Sequence, residues 1–134
     1  MRKRTLLICL SVFILAAVSL ACGFSVTTAN ISDAWMSTDP EGQVKTTVYA
    51  PDQPFYMVAI LQNAPDDTTV KASWTLVEAE GMDPNQLLDE AEVTSGDNTL
   101  YFDLSSDQLW PVGKYKVDLY IGDELSKTLE FEVQ

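Results

Sequence analysis

The sequence predicts an all-β domain, an antiparallel sandwich of about seven short strands, preceded by an N-terminal apolar signal or anchor helix. Apolar and polar residues alternate over several short segments, and Gly, Pro, Asn and Asp separate these segments. No long segment beyond the first 23 residues repeats its apolar positions at helical spacing. The 113 residues that remain after a 21-residue leader suit one domain with its own core.

The first 23 residues have the layout of a secretory signal. Arg2, Lys3 and Arg4 precede an uncharged apolar run that continues to Leu20, and small residues follow. Cations are costly to move across a bilayer and stay on its cytoplasmic side, whereas the apolar run enters the membrane. The sequence therefore predicts that the rest of the chain is exported.

The tetrapeptide Ser19-Leu20-Ala21-Cys22 resembles the lipobox of bacterial lipoproteins. The resemblance implies that the leader is cut before Cys22 and that the Cys22 sulfur carries lipid. Ala21 and Cys22 fit the pattern, whereas Ser19 stands where that family prefers Leu or another aliphatic residue. One acyl chain binds a bilayer only marginally, so the several chains implied by the family would give a permanent anchor.

Two other fates of the leader stay open. An uncleaved signal anchor needs about 20 apolar residues, and residues 6–24 nearly supply them. Plain secretion would leave Cys22 as a free thiol. We favour the lipoprotein, with a signal peptide over 1–21, a tether over 22–30 and a domain over 31–134. This interpretation puts the domain on the extracytoplasmic side of a cell membrane, in the periplasm or at the cell surface.

Two strands are predicted before residue 55. Ala29, Ile31 and Trp35 share one parity in the first strand, and the β-branched residues of 44–49 predict the second. Between the two strands, residues 39–42 predict a turn, because proline presets the backbone at its second position.

Three strands are predicted between residues 55 and 94. Residues 55–61 are apolar on both parities, which is typical of a central strand covered on both faces. Residues 70–76 alternate cleanly around Trp74 and predict a half-buried strand. Residues 88–94 predict an edge strand whose acids discourage edge-to-edge pairing, although Asp83 and Pro84 could instead begin a short helix.

The last part of the chain predicts three further strands and one helical turn. Residues 100–104 alternate as a strand, and residues 105–108 have the form of a capping box, which predicts one helical turn through Trp110. Residues 115–121 and a final strand around Phe131 flank Gly122 and Asp123, a hairpin signal.

Trp74 and the segment Leu-Trp-Pro-Val-Gly-Lys-Tyr at 109–115 resemble two features of immunoglobulin-like and fibronectin-type-III domains. Those domains hold a Trp in the core, and a Tyr that begins their penultimate strand bonds back to the backbone of the preceding corner. The resemblance implies an immunoglobulin-like sandwich in which Tyr115 forms the corner. The cysteine pair of antibody domains is absent, because the two cysteines are Cys9 and Cys22.

Charge and composition exclude several classes of function. The whole chain has a net charge of −12, and beyond the leader five cations face twenty acids, a net charge of −15. Such a surface repels phosphates, so nucleic acid is not an expected partner. The sequence contains no histidine, which leaves no Ser-His-Asp triad and no imidazole ligand for a metal. We therefore expect a protein that is not an enzyme and needs no cofactor.

The functional hypothesis is a non-catalytic binding or structural module with a protein or glycan partner. Trp35 and Trp110 are the candidate contacts; alternatively, Trp110 covers the corner beside Tyr115 and Trp35 closes one end of the sandwich. A second hypothesis is a calcium-dependent adhesion or stabilisation domain. Asp66 and Asp67 are its weak candidate ligands, since they lack a recognised calcium-loop pattern.

Cys22→Ala tests the lipid anchor. The variant should move from the membrane fraction to the soluble fraction or fail to be processed, because it lacks the sulfur that would carry the lipid. Fractionation and the intact mass of the N-terminus measure both effects. Processing and membrane association like those of the wild type would contradict the lipoprotein interpretation.

Overall fold

A computed structural model describes residues 28–134. The predicted signal helix, Cys22 and most of the predicted tether lie outside the described residues. Within residues 28–134, no helix has the length and apolar character needed to cross a membrane.

Residues 28–134 form eight strands, against a prediction of about seven. They are β1 (Asn30–Ser37), β2 (Val48–Tyr49), β3 (Phe55–Gln62), β4 (Thr68–Ala79), β5 (Gln86–Ser95), β6 (Asn98–Leu104), β7 (Gly113–Ile121) and β8 (Glu124–Val133).

The strands form two sheets that enclose one core. The three-stranded sheet has the order β1-β3-β6, and the five-stranded sheet has the order β2-β8-β7-β4-β5. The prediction of an all-β sandwich is therefore confirmed. The prediction of purely antiparallel pairing is wrong at one place, because β2 pairs with β8 in parallel.

The two ends of the sandwich carry different connections. One end, here called the N-terminal pole, holds the chain at residue 28 and the connections 63–67, 96–97 and 122–123. The hydroxyl of Thr28 donates a hydrogen bond to the Asn63 carbonyl oxygen at 3.1 Å. The opposite pole holds the connections 50–54, 80–85 and 105–112. The described chain thus begins at one pole, and β1 runs from there towards the other.

Phe55 is the centre of an aromatic core that joins both sheets. Its ring centroid lies 4.6–6.3 Å from the centroids of five other rings, which belong to Tyr49, Trp74, Trp110, Tyr115 and Phe131. Most of these pairs have the edge-to-face or offset arrangement that aromatic quadrupoles favour. The Trp74 indole N–H is buried without a hydrogen-bond partner among the described residues. Such a group costs about 1–3 kcal/mol, which the burial of the large ring must offset.

Two buried tyrosines fix the corners of this core. The Tyr115 hydroxyl donates to the Pro111 carbonyl oxygen at 2.6 Å, so the predicted corner is confirmed. The Tyr49 hydroxyl, on β2, donates to the Ser37 carbonyl oxygen at 2.6 Å and thereby links the two sheets. Burial raises the pKa of each tyrosine to about 12, so both hydroxyls stay protonated as donors at ordinary pH.

The predicted strand over 44–49 is divided between the sheets. Lys45 forms a bridge with Ser37 of β1, whereas Val48 and Tyr49 pair with the end of β8. The six-residue prediction is therefore wrong in length. The paired strand is shorter because the segment crosses from one sheet to the other at Thr47, so no single partner strand can pair with all six residues.

The predicted parity of the first strand is also wrong. A bulge lies between Ile31 and Asp33, and one extra residue moves every later side chain to the opposite face. Ile31 is buried in the core, and so is Met36, whereas Trp35 points to the outer face.

The predicted helical turn at 105–110 is absent. The Trp110 N–H donates to the Pro51 carbonyl oxygen at 2.8 Å instead of joining a helical turn, and its ring stacks on Phe55. The Ser106 hydroxyl accepts from the Gln108 N–H at 3.1 Å. The contact with the aromatic core thus overrides the local capping signal.

The remaining strand predictions are confirmed. β3 is the central strand of its sheet, β5 is an edge strand, and β7 and β8 form a hairpin across Gly122 and Asp123. Gly122 has a φ of 58°, a backbone conformation that favours glycine.

Tyr115→Phe should lower the free energy of unfolding by about 1 kcal/mol, because it removes the corner hydrogen bond and leaves the Pro111 carbonyl without this donor. Tyr101→Phe removes the same atom from a ring that is 56% exposed, and it should change stability by less than about 0.5 kcal/mol. Urea unfolding of both variants measures the difference. Equal losses would contradict a stabilising role for the corner.

Candidate functional site

The outer face of the three-stranded sheet carries aromatic and apolar side chains. Trp35, Val58 and Tyr101 form one row across β1, β3 and β6, because Trp35 pairs with Val58 and Val58 pairs with Tyr101. Tyr56 and Ile60 lie on either side of Val58 along the same face of β3. We call these five residues the aromatic face.

Exposure varies across the aromatic face. Tyr101 is 56% exposed, Val58 is only 1% exposed, and the other three side chains are half-buried. Most outward side chains of a sandwich are polar, and an aromatic row with an open end is typical of a surface that contacts another molecule. Tyr101 is the open end of the row.

The loop between β1 and β2 covers the other end of the row. The Trp35 Nε1–H donates to the Gly42 carbonyl oxygen at 2.9 Å. Gly42 has a φ of 75°, and a Cβ atom there would lie 2.3 Å from Cγ2 of Val58. Only glycine satisfies both conditions, so the predicted turn at 39–42 becomes a close-packed cover over Trp35 and Val58.

Asp39 holds this loop in place. Its carboxylate accepts hydrogen bonds from the Ser37 hydroxyl at 2.6 Å, the Val44 N–H at 2.8 Å and the Gln43 N–H at 3.0 Å. These hydrogen bonds favour the charged carboxylate and lower the pKa of Asp39 from 3.8 to about 2. The bond from the Ser37 hydroxyl has the largest effect. The loop that covers part of the aromatic face is therefore stabilised by one ionised side chain.

Charged groups surround the aromatic face. Asp33 pairs with Ile60 at one corner, and Asp103 pairs with Tyr56 at the diagonal corner. Lys45 is the cation nearest to the covered end, and its Nζ lies 4.5 Å from the centroid of the Trp35 ring. The open end at Tyr101 therefore lies beside the Asp103 carboxylate, whereas the β1 side of the face carries the Asp33 carboxylate and the Lys45 ammonium group.

The two predicted contact residues lie in different places. Trp35 belongs to the aromatic face, so the alternative that it closes the end of the sandwich is wrong. Trp110 lies at the pole opposite residue 28, where it stacks on Phe55 and contacts Tyr115, as the core alternative predicted. Whether either residue contacts a partner stays a prediction.

Tyr101 is the exposed member of the aromatic face, and sequence reasoning missed it. The alternation in 100–104 already placed it opposite Leu100 and Phe102, and an aromatic residue on the polar parity of a strand is the signal that could have found it. No local pattern indicated that Trp35 would lie in the same row as Tyr101, because the bulge in β1 determines which face Trp35 is on.

Asp66 and Asp67 lie in the connection 63–67 at the N-terminal pole. Oδ1 of Asp66 faces Gly96, and the neighbouring Asp97 carboxylate accepts the Ala64 N–H at 2.7 Å. Within residues 28–134, no three or more acidic, Cys or His side chains are grouped so that they could hold a metal ion. The calcium hypothesis stays a prediction.

The amino-acid sequence matches no protein-family model and no curated protein sequence. Solved structures do match the fold. An immunoglobulin-like protein from Pseudomonas aeruginosa has a TM-score of 0.53 at 16% identity, and the match covers 82% of this chain and 100% of that protein. The fold is therefore an immunoglobulin-like β-sandwich, as the sequence predicted.

Parts of two larger enzymes also have this fold. A DNA glycosylase for alkylpurines from Pseudomonas fluorescens has a TM-score of 0.54 at 13% identity, with 79% of this chain and 30% of the enzyme covered. A β-glucosidase from Listeria innocua has a TM-score of 0.52 at 16% identity, with 83% and 17% covered. The chain thus spans less than a third of either enzyme, and at these identities the likeness concerns the fold alone.

Asp39→Asn tests the role of the carboxylate. The folded pKa of about 2 lies below the ordinary 3.8, so the stabilising effect is present above about pH 4 and is lost as the pH falls from about 4 to 2. The variant should melt at a lower temperature than the wild type at pH 7 and lose less stability between pH 4 and 2. Asp52→Asn, an equal charge change at an exposed residue, is the control. The same pH profile in both variants would contradict this role.

Proposed function

We propose that the protein is a membrane-anchored extracytoplasmic lipoprotein that acts as a non-catalytic binding module and contacts a protein or glycan partner through its aromatic face. The observation that carries this proposal is the row Trp35, Val58 and Tyr101, in which a ring that is 56% exposed continues a packed apolar surface. The lipid on Cys22 is part of the proposal and follows from the lipobox resemblance.

The aromatic face has the physical properties of a contact surface. Aromatic residues are enriched at the centres of protein interfaces, and their rings also stack on sugars. The face lies on regular strands instead of a long loop, so binding orders few side chains and loses little entropy. Tyr101 needs to order only its ring, since β6 already fixes its backbone.

The position of the chain at residue 28 supports an anchored orientation. The tether would join the domain at the N-terminal pole, where Thr28 bonds to Asn63. Because the strands run between the poles, the aromatic face lies along the flank of the sandwich and not at the end nearest the bilayer. A partner in the same compartment would reach the face whether the anchor is lipid or an uncleaved apolar helix.

Site-specific photo-crosslinking in cells tests the contact. The full chain carries a photoreactive phenylalanine at position 101, and a control chain carries it at Tyr120, on the outer face of the other sheet. A discrete crosslinked product should form from position 101 and not from position 120, because only the aromatic face would contact the partner. Products of equal yield from both positions, or none from 101, would contradict the proposal.

A further inference from the structure

We infer that the aromatic face binds a cationic, extended segment of a protein, with one Lys or Arg side chain beside Tyr101 and Asp103 and a second beside Asp33. This inference rests on the proposed function and adds the chemistry of the partner. It depends on three observations: the placement of two carboxylates, the contact of Lys45 with the row, and the contacts of Lys71, Lys114 and Lys116 on the opposite sheet.

Two carboxylates lie at diagonal corners of the aromatic face. Asp33 is on β1 next to Ile60, and Asp103 is on β6 next to Tyr56. Both are exposed, and neither forms an ion pair with any cation of residues 28–134. Strand spacing and rise put them about 16 Å apart. Two Lys or Arg residues four positions apart in an extended segment are separated by about 13 Å. Their long side chains can therefore reach the two carboxylates at the same time.

The aromatic row already accepts an ammonium group. Lys45 Nζ lies 4.5 Å from the Trp35 ring centroid, a distance at which the ring quadrupole attracts a cation. The cation–π contacts of the described residues involve Trp35 and Tyr120, so the Tyr101 ring is open for the same interaction. Tyr101 and Asp103 lie on the same face of β6, so one bound cation can contact both.

The opposite sheet has no comparable surface. On its outer face Lys114 pairs with Glu78 at 3.4 Å and Lys116 pairs with Asp118 at 3.3 Å. Lys71 Nζ lies 4.7 Å from the centroid of the Tyr120 ring. Two acids on that side therefore form ion pairs, and the Tyr120 ring already has an ammonium group over it, so among residues 28–134 the aromatic face is where exposed carboxylates without an ion pair and an open ring occur together.

The charge of the whole domain favours this partner over a second copy. The chain beyond the leader has a net charge of −15. Two copies therefore repel each other, whereas a basic partner is attracted. A neutral glycan would stack on Tyr101 and donate hydroxyl hydrogen bonds to the carboxylates, but it has no charge for the acidic domain to attract.

Peptide binding tests the inference on the full chain in detergent micelles. The probe is a synthetic extended peptide with two lysines four residues apart among threonines and valines, and the same peptide with both lysines replaced by glutamine is the negative probe. Fluorescence anisotropy at about 0.15 M salt measures the dissociation constant, since this salt limits exposed charge interactions to about 8 Å. The lysine peptide should bind and the glutamine peptide should bind at least tenfold more weakly.

Matched double variants separate a site from general attraction. Asp33→Asn with Asp103→Asn should weaken binding of the lysine peptide about tenfold, equivalent to about 1.4 kcal/mol. Glu90→Gln with Glu92→Gln removes the same charge from the outer face of β5 and should weaken it less than twofold. Tyr101→Ser should weaken binding without changing the fold, as thermal melting checks. Equal weakening by the two double variants would overturn the inference, because it would reflect net charge alone.

Two further outcomes would overturn the inference and identify the reason. If a β-linked glucose oligosaccharide binds with dependence on Tyr101 and the lysine peptide does not, the partner is a glycan. If crosslinking from position 101 succeeds but the captured segment contains no Lys or Arg, the proposed function stands and the cationic partner is wrong. Failure of crosslinking at position 101 would instead contradict the proposed function itself.

Discussion

The fold depends on the packing of aromatic rings around Phe55. This residue begins the central strand of one sheet, and its five ring neighbours come from β2, β4, β7, β8 and the connection that holds Trp110. A domain without a disulfide in its described part must hold its two sheets together by such burial. Phe55 and Tyr49 are both essentially inaccessible to solvent, and the Tyr49 hydroxyl adds a hydrogen bond from one sheet to the other. Where a local structural preference conflicts with packing in this cluster, the packing prevails. The segment around Trp110 packs on Phe55 instead of forming the predicted helical turn.

The aromatic face follows from the same constraint. Because the inward side chains of β3 fill the core, its outward side chains must be covered or exposed, and here Tyr56, Val58 and Ile60 are all apolar or aromatic. The loop fixed by Asp39 covers only the part of this surface nearest to Gly42. The uncovered remainder, with Tyr101 at its edge, is what gives the domain a surface of distinct chemistry. A single sheet thus supplies one half of the core and a contact surface on its other side.

Much of the fold was predictable from residue order, but the candidate site was only partly so. Clean alternation in 70–76 and 115–121 and the turn at Gly122 identified strands that each pair with the next strand in the chain, and the corner tyrosine was identified from its flanking residues. The bulge in β1, the change of sheet at Thr47 and the position of Trp110 depend on contacts between residues far apart in the chain. Trp35 was therefore selected as a candidate contact for its residue type, but its predicted parity with Ile31 was wrong. Tyr101 became a candidate only when β6 was seen to pair with β3.

The direction of β1 has a mechanical consequence. This strand starts at the pole where residue 28 lies and runs away from it, with β3 antiparallel along its length. A pulling force on the preceding chain acts along the strand axis, at right angles to the hydrogen bonds of the ladder. Those bonds then share the load in shear instead of opening one after another. Tyr49 anchors the far end of the strand through Ser37, so the domain is built to resist tension that comes from the side of its N-terminus.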